Sequence, residues 1–522
     1  MQAHDEAVKA VSAQVRRFFE RKQPYRIYHG STNSTRPSQR RLDNTVNTSS
    51  LDRVLSVDVA EKTALVEPNV PMDALVAATL KSGLVPLVVM EFPGITVGGG
   101  FSGTSGESSS FRHGPFENTI NWIEIVLPNG HVTKASRTTG DKTDLFWGAA
   151  SAFGTIGVVT LLQVQLREAK QYVQLTYSLR DTVAGVNAKI REETTVVEQV
   201  DYVDAIMFSK DSTVVCSGRL TDNLPEGATP RRLTRSRDPW FYIHVRRLQK
   251  RLRSSPSAEV TEFIPLVDYL FRYDRGGFWV GSYAFRYFIT PFNRITRFML
   301  DPFMHTRTMY RALHQSGLAN NYLVQDVGIP HDKVTEFIDW LDEAFHIYPL
   351  WLCPLRIARD TPGANHGLHS DFAALDPTSE AGGIMNFGIW GPGSFDRREF
   401  VAQNRLLEQK VQELGGKKWL YAHAYYTEDE FWAQYDRKSY DAVRAKYGAD
   451  WMPSVYDKVK VDIDAEERKL RQWGPWLLAL FWSIWPLKGL YGVMMTILGG
   501  DYLLRTSNQV QHAQQALKEH QA

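Results

Sequence analysis

The feature that most constrains how this chain can fold is a glycine-rich stretch at residues 93–114, PGITVGGGFSGTSGESSSFRHG. Within it, Gly98, Gly100 and Gly103 match the G-x-G-x-x-G pattern of dinucleotide-binding loops. A Rossmann fold needs a long buried strand before these glycines and a helix that opens among them. Here Pro93 interrupts the preceding run, and the four serines and two glycines after Gly103 are poor helix formers. We therefore predict a different phosphate-binding loop, in which backbone N–H groups and hydroxyls surround a pyrophosphate.

A second segment rich in glycine and hydroxyls lies upstream, in YRIYHGSTNSTR at residues 25–36. It follows a strand-like run, and Gly30 is followed at once by Ser31 and Thr32. Two such loops suit a ligand with two phosphates that is held from both sides. Composition alone also permits plain turns at both places, because glycine and serine are common turn residues.

The length of 522 residues predicts more than one folding unit, because single cores stop growing at about 250–300 residues. Short strands and helices alternate through residues 1–170, and a helix, a strand and another helix are predicted between residues 330 and 460. This pattern indicates an α/β or α+β class for residues 1–170 and an α+β substrate or cap domain for the later segment. The predicted units are residues 1–170, residues 171–460 and a C-terminal extension over residues 461–522.

Charge and motif content exclude several classes of function. The formal net charge is only +2, so no nucleic-acid partner is expected. A basic segment interleaved with aromatic residues, at 230–257, is interpreted as solvated surface in preference to a nucleic-acid patch. The chain contains no H-E-x-x-H or C-x-x-C motif, so no metal site is expected either.

One apolar stretch stands out, WGPWLLALFWSIWPLKGLYGVMMTILGG at residues 473–500. Lys488 lies at its middle and Pro475 and Pro486 interrupt it, which argues against a regular spanning helix. Its tryptophans are of the residue type that collects at membrane interfaces. We expect a monotopic membrane-associating segment, with a buried helix pair or a true membrane span as the alternatives.

The order of the motifs HGSTNS, VEPNVPMDALV, EFPGITVGGGFSGTSGESSSFRHG, IEIVLPNG and DLFWGAASAFGTIGVVT resembles the FAD-binding domain of the vanillyl-alcohol oxidase/p-cresol methylhydroxylase (PCMH) type. Further motifs, among them FIPLVDYLFRYDRGGFW, YLVQDVGIP, LYAHAYYTEDEFWAQYD and VYDKV, resemble the Δ24-sterol reductase branch of that family. The resemblance implies a two-subdomain PCMH-type FAD-binding domain over residues 1–170. It also implies an α+β cap or substrate domain over residues 171–460 that returns to the flavin.

The resemblance also assigns cofactor residues. The first pyrophosphate loop would use Gly30, Ser31, Thr32, Asn33 and Ser34. The second loop, the adenine–ribose end and a lysine beside the flavin would use Thr96, Gly98, Gly99, Gly103, Thr104, Ser105, Ser109, Gly154, Thr155, Gly157, Val158 and Lys458. Covalent members of the larger family carry a histidine in the first loop. His29 lies several positions early for that role, so non-covalent FAD is expected.

The implied reaction is the reduction of an isolated carbon–carbon double bond of a sterol or related isoprenoid, with NADPH as the electron donor. Candidate catalytic residues are Tyr421, His423 and Tyr425, which would share one face if LYAHAYY were a strand. Asp326 is a polar residue in an otherwise apolar strand and is a further candidate. Animal members carry an acid where His423 stands. Ordinary packing tyrosines and a structural polar network are the alternatives.

Two other functions stay open at this stage. One is an FAD-dependent oxidase, dehydrogenase or double-bond isomerase acting on a terpenoid-like substrate. The other is a flavin- or lipid-binding scaffold without turnover. The sterol reductases carry an N-terminal membrane helix that has no counterpart at the start of this sequence, so the anchor is expected at residues 473–500. The expected location is the cytosolic face of the endoplasmic reticulum.

Overall fold

The computed structural model describes residues 1–28, 41–138, 140, 142–195, 199–359, 361–375, 383–470 and 484–499. The predicted first pyrophosphate loop, with Gly30, Ser31, Thr32, Asn33 and Ser34, lies outside the described residues. Of the apolar stretch 473–500, only residues 484–499 are described. The mixed helices and antiparallel sheets confirm the α+β class.

The first part of the chain alternates short helices and strands, as the sequence predicts. Its elements in chain order are α1 (Gln2–Glu20), β1 (Arg26–Ile27), β2 (Thr45–Val46), β3 (Val54–Asp58), β4 (Thr63–Val66), α2 (Met72–Leu80), β5 (Leu84–Pro86), α3 (Val97–Gly103), α4 (Ser110–His113), β6 (Ile120–Val126), β7 (Val132–Ser136), α5 (Thr143–Ala149) and β8 (Val158–Glu168).

Strands β3 to β8 form one antiparallel sheet in the order β3-β4-β8-β6-β7, and β5 pairs with the end of β8. The β6–β7 hairpin turns at Asn129-Gly130, where Gly130 adopts φ +86°, a conformation that favours glycine. Helix α1 buries Val11 and Val15 against the end of this sheet, in a small core that includes Val158 of β8. Val11 and Val15 are four residues apart and so lie on one face of the helix, which is the face that packs.

The second part is built on a longer sheet. Its elements in chain order are β9 (Tyr172–Arg180), α6 (Val183–Thr195), β10 (Tyr202–Ser209), β11 (Ser212–Thr221), α7 (Phe241–Arg253), β12 (Glu259–Pro265), α8 (Leu266–Leu270), α9 (Gly281–Tyr287), α10 (Arg294–Met299), α11 (Thr306–Ser316), β13 (Tyr322–Pro330), α12 (Val334–Phe345), β14 (Leu350–Arg356), β15 (Gly383–Pro392), α13 (Arg397–Glu413) and β16 (Lys417–Lys418). Five helices follow: α14 (Glu428–Trp432), α15 (Arg437–Lys446), α16 (Val455–Val459), α17 (Ile463–Leu470) and α18 (Leu487–Gly499).

The eight strands β9 to β16 form an antiparallel sheet in the order β12-β9-β11-β10-β14-β15-β13-β16. Successive residues of a strand face opposite sides, so one sheet contributes to two cores. Ala205 and Met207 of β10 pack in the core shared with α6, α12 and α13. Ile206 between them, with Trp351 and Cys353 of β14, belongs to the core shared with the first part of the chain. The two parts are therefore packed through the second face of this sheet.

The last described helices return to the first part. The Tyr440 hydroxyl of α15 and the Thr155 hydroxyl lie 2.7 Å apart, and the Tyr447 hydroxyl donates to Asp144 at 2.8 Å. A Cβ on Gly148 of α5 would come within 2.5 Å of Val443, so glycine is required for α15 to pack this closely. Residues near 440–460 therefore bring the end of the second part back beside the first sheet.

The possibility that LYAHAYY is a strand is wrong. Only Lys417–Lys418 pair with β13, and the chain then turns. The Lys418 ammonium is buried, where it donates to Glu408 and, at 2.5 Å, to the carbonyl of His423. Because the buried Lys418 ammonium binds the His423 carbonyl, residues 419–425 turn around it. Tyr421, His423 and Tyr425 therefore do not share a strand face.

Candidate cofactor and substrate site

A cavity of about 810 Å³ lies between the two sheets. One wall is the glycine-rich segment of the first part, and the opposite wall comes from β13, β15 and residues 419–423. Its lining includes twelve of the residues predicted from the sequence: Thr96, Gly98, Gly99, Gly103, Thr104, Ser105, Gly154, Gly157, Asp326, Tyr421, His423 and Lys458. The size lies within the range for ligand pockets, about 300–1,000 Å³.

The glycine-rich wall is helical where the sequence suggested an open loop. Helix α3 covers Val97–Gly103, and the Thr96 hydroxyl caps it by accepting the Gly99 N–H at 3.1 Å. A Cβ on Gly98 would lie 2.6 Å from Pro68 Cβ, so the helix packs directly on that backbone. A Cβ on Gly103 would meet nothing closer than 3.9 Å. The result is a bare backbone surface that a flat or anionic group can approach.

The far end of the cavity is formed by the turn before β8. Gly154 has φ +69°, and the Lys458 ammonium donates to the neighbouring Phe153 carbonyl at 2.9 Å. Lys458 thus lines the cavity and also joins α16 to this turn. A Cβ on Gly157 would lie 2.7 Å from the Val126 carbonyl, which explains why the turn needs glycine there.

Four predicted site residues lie outside the cavity lining. Ser109 donates to the Leu87 carbonyl at 3.0 Å, and the Thr155 hydroxyl is bonded to Tyr440. Val158 belongs to the core under α1, and Tyr425 to the core between the second sheet and its helices. Tyr425 points away because residues 419–425 turn, as described above. The structure therefore gives these four residues scaffold positions.

One end of the cavity is aromatic and surrounds the hydrogen-bonded carboxylate of Asp326. Phe278, Trp351, Trp390 and Trp419 contribute to its lining. Among them the Tyr421 hydroxyl donates to Asp326, in a short contact. Burial raises the pKa of Asp326 to about 6, and the hydrogen bond from Tyr421 opposes that rise.

The network continues behind Asp326. Asn386 donates to the Asp326 carboxylate at 3.1 Å, and its own oxygen accepts the Trp419 indole N–H at 2.6 Å. Burial and the neighbouring Asp326 charge hold the pKa of Tyr421 well above its usual range. The proton therefore stays on Tyr421. The Tyr421–Asp326 pair is a hydrogen-bonded polar group among apolar side chains of the cavity.

Sequence reasoning missed the acidic residues on either side of α3. Glu91 and Glu107 both line the cavity. The buried guanidinium of Arg272 forms ion pairs with Glu91 at 2.7 Å and with Asp204 at 2.9 Å. Asp204 also accepts hydrogen bonds from Tyr273 and from Trp351. Glu91 and Glu107 lie close to the glycine-rich stretch in the sequence, and this position is the feature from which they could have been predicted as site residues.

Three buried carboxyls thus face one guanidinium. Burial raises the pKa of Glu91 to about 8, although Arg272 opposes the rise. Burial and the charge of Glu91 raise the pKa of Glu107 well above its ordinary value. Asp204 accepts hydrogen bonds from three donors, Arg272, Tyr273 and Trp351. The wall beside α3 therefore holds at least one carboxylic proton at neutral pH.

Comparison with known proteins agrees with this geometry. Residues 5–136 match the family described as "FAD binding domain". The chain is 29% identical over 422 residues to the Delta(24)-sterol reductase of Homo sapiens, which covers 78% of this chain and 76% of that protein. It is 27% identical over 448 residues to the Delta(24)-sterol reductase of Pisum sativum, and this match covers 80% of this chain and 76% of that protein. Residues 5–136 therefore match an FAD-binding domain, and the chain as a whole is similar to the Δ24-sterol reductases.

The protein is therefore an FAD-dependent oxidoreductase, and the PCMH-type FAD-binding domain is confirmed. The cavity fits the cofactor, because its bare α3 wall suits close approach of a pyrophosphate and its lining includes the Gly154 turn. The N–H groups of residues 97–100 already donate within the fold, and the Thr104 hydroxyl donates to Ser151. The Thr96 hydroxyl accepts from Gly99 and keeps its own proton, so Thr96 and Ser105 are the hydroxyl donors of this wall that would hold the phosphates.

Substitution of Gly98 should disrupt the packing of α3 on Pro68, whereas substitution of Gly103 should leave that packing intact. Gly98→Ala forces a Cβ against Pro68, so we expect it to lower the free energy of unfolding by about 1–3 kcal/mol and to reduce the flavin retained on purification. Gly103→Ala has room and gains helix propensity, so stability should be unchanged or raised by up to about 1 kcal/mol. Unfolding curves and flavin-to-protein absorbance ratios test the pair. Equal behaviour of the two variants would contradict the packing described for α3.

The stability of the protein should decline with rising pH in a way that depends on Glu91. A carboxyl whose pKa rises on folding takes up a proton, so its contribution to stability is lost as pH increases from about 4.5 to about 8. Glu91→Gln should make this decline smaller. The drop in melting temperature between about pH 5 and about pH 8 should be about 2 °C less in the variant than in the wild type. Glu192→Gln, at an exposed position, is the control. An identical decline in wild type and Glu91→Gln would contradict the raised pKa.

Proposed function

We propose that the protein reduces an isolated carbon–carbon double bond of the Δ24 type in a sterol or related polycyclic isoprenoid, with NADPH as the electron donor. The observation that supports this most is the aromatic end of the cavity, which surrounds the hydrogen-bonded Asp326. The names of the relatives support the same substrate class.

When bound in this cavity, FAD would supply the hydride chemistry of the reduction, with NADPH as the source of the electrons. The residues of the chain do the rest. An isolated alkene has no carbonyl to polarise, so positive charge develops on the second carbon as the proton is added. The faces of Trp351, Trp390 and Phe278 are suited to stabilise that charge and to keep water away.

The second carbon needs a proton, and the cavity offers two sources. Tyr421 is a poor donor, because loss of its proton would place a tyrosinate beside Asp326 in a buried site. Burial raises the pKa of both Glu91 and Glu107, which favours a protonated carboxyl in this pair, and both line the cavity. We assign the proton to Glu107, since Glu91 is held by Arg272. Its O–H bond breaks as the new C–H bond forms, and solvent later returns a proton to the carboxylate.

The location is also a proposal. An enzyme with so apolar a substrate would work at a membrane face, and we propose the cytosolic face of the endoplasmic reticulum. Among the described residues, no helix combines the length and apolar character needed to cross a bilayer. We propose that the stretch 473–500 takes part in the membrane contact.

Anaerobic absorbance spectroscopy tests the reaction. Addition of NADPH to the purified flavoprotein should bleach the oxidised flavin band, and addition of a Δ24-sterol should restore it. A band that NADPH leaves unchanged would refute the reductase proposal. Hydrogen peroxide released with substrate in air would identify an oxidase, and sterol binding without either response would identify a scaffold.

Replacement of the proton source should affect only the second half of the reaction. We expect Glu107→Gln to slow sterol-dependent reoxidation of the flavin by about a hundredfold, with bleaching by NADPH unchanged. Tyr421→Phe should have a smaller effect on reoxidation, because its role is to position the substrate and to hold Asp326. Tyr425→Phe, outside the cavity, should leave both steps unchanged. A larger loss in Tyr421→Phe than in Glu107→Gln would identify the tyrosine as the donor. All four proteins are compared by stopped-flow absorbance.

A further inference from the structure

A second cavity, of about 440 Å³, lies between α7 and α10 and shares no lining residue with the first. Its lining is dominated by arginine. Six side chains contribute guanidinium groups: Arg231, Arg237, Arg247, Arg251, Arg294 and Arg297. Several of these arginines lie in the basic segment 230–257 that was noted in the sequence. The proposed reaction assigns no role to this segment.

The acids of this cavity are already engaged. Asp238 is ion-paired with Arg235 at 3.0 Å. Glu262 contacts His244 at 2.6 Å and Arg231 at 3.2 Å. The other five arginines of the lining form no ion pair with any carboxylate in the described part of the chain. The cavity therefore carries a large excess of positive charge.

Arg297 shows that this charge is built into the fold. The side chain lies on α10, is only 8% exposed, and stacks over the rings of Phe292 at 5.0 Å and Trp240 at 6.0 Å. Burial lowers its pKa, and the charges of Arg247 and Arg275 lower it further. A buried guanidinium among other guanidinium groups is costly unless an anion joins them. Phosphate oxygens accept bidentate hydrogen bonds from guanidinium groups, so a phosphate is the anion best matched to this site.

The opposite side of α10 is apolar and exposed. Ile295 is 70% exposed, Phe298 54% and Met299 69%. Ile289, a few residues before α10, is 75% exposed. A short helix with arginines towards a cavity and large apolar side chains towards solvent is reversed relative to a helix on the surface of a soluble protein.

Helix α18 has the same reversed arrangement. Its buried positions are small: Gly489 packs on Tyr287 and Phe288, and Gly492 on the backbone of Ala312. Its exposed positions are large and follow one helical face, namely Leu490, Met494, Ile497 and Leu498. Small residues inside and large apolar residues outside are typical of helices that pack together in a lipid environment.

The two helices belong to one surface. The Trp485 indole N–H, just before α18, donates to the Tyr287 carbonyl at 2.8 Å. Phe288, which contacts Gly489, is followed directly by the exposed Ile289 and then by α10. We name the exposed apolar residues of α10 and α18, with Ile289 and Trp485, the α10–α18 face.

We propose that the α10–α18 face docks on a lipid bilayer and that the arginine cavity takes the phosphorylated headgroup of an anionic phospholipid. Apolar side chains that enter the acyl region beside arginines at headgroup level match the two layers of a membrane interface. A purely apolar partner would leave the arginine cavity unmatched, and free phosphate would leave the apolar face exposed. The proposal does not depend on the reaction, because docking is measured without turnover.

Vesicle flotation of the full-chain holoprotein tests the proposal. The probes are vesicles of phosphatidylcholine alone and vesicles with about one-fifth phosphatidylserine. We expect binding to the mixed vesicles to be stronger and to fall as salt rises. Arg247→Gln with Arg297→Gln should weaken binding to the mixed vesicles by about thirtyfold, at about 1 kcal/mol per arginine. Phe298→Ser with Met299→Ser should weaken binding to both kinds of vesicle.

The matched control is Arg17→Gln with Arg21→Gln, two exposed arginines on and after α1, which should bind as wild type does. Flavin content and melting temperature report whether each variant is folded. If the Arg247/Arg297 variant is misfolded, the salt dependence of wild-type binding to the mixed vesicles is the test of the headgroup site. Binding that does not change with salt overturns that site. Equal binding by the folded arginine variant overturns it as well. If inorganic phosphate or NADPH binds with the same arginine dependence and no vesicle binds, the site serves a soluble phosphate and the docking proposal is wrong.

Discussion

The assembly of the two parts depends on the buried ion pairs of Arg272. This guanidinium follows α8 and holds Glu91, beside the FAD wall, and Asp204, on the central strand β10 of the second sheet. It is enclosed by the rings of Tyr269 at 4.0 Å and Tyr273 at 4.6 Å. Because the two carboxylates come from different parts of the chain, removing the cation would leave two buried acids in contact without compensation. The same charge therefore closes the interface between the sheets and shapes the cavity that lies there.

This arrangement links folding to the chemistry of the cavity. One cation cannot compensate the charges of Glu91, Glu107 and Asp204 in a buried site, so the assembly itself keeps a proton on the wall next to the cofactor. No separate device is needed to raise the pKa of an acid: burial by the second sheet is sufficient. Tyr421 and Asp326 show the contrasting case, in which a hydrogen bond satisfies the carboxylate and the tyrosine keeps its proton. The two acidic clusters of the cavity thus differ in which group can give up a proton.

Features set by neighbouring residues could be predicted from the sequence, and features set by distant residues could not. The Asn129-Gly130 hairpin, the α+β class and the glycine-rich cofactor wall follow from local patterns and from the ordered motifs. The pairing of Arg272 with Glu91 joins residues far apart in the chain, and nothing in either local segment indicates it. The strand alternative for LYAHAYY failed for the same reason, since the buried Lys418–Glu408 pair turns the chain there. The local pattern also suggested a loop at residues 97–103. A helix, α3, forms there because the close packing of Gly98 on Pro68 outweighs the low helix propensity of glycine.

The position of α11 connects the cavity with the surface proposed to meet the membrane. On one side of this helix Tyr310 lines the FAD cavity, and on another Ala312 and Ser316 receive Gly492 of α18. A single helix therefore separates the large apolar side chains of α18 from the aromatic end of the cavity. A sterol is poorly soluble in water, so a route from bilayer to cavity that crosses no aqueous gap would remove the cost of hydrating its apolar surface. The reversed packing of α18, which places its glycines against α11 and its large residues outward, is the arrangement that makes such a short route compatible with a folded, closed cofactor site.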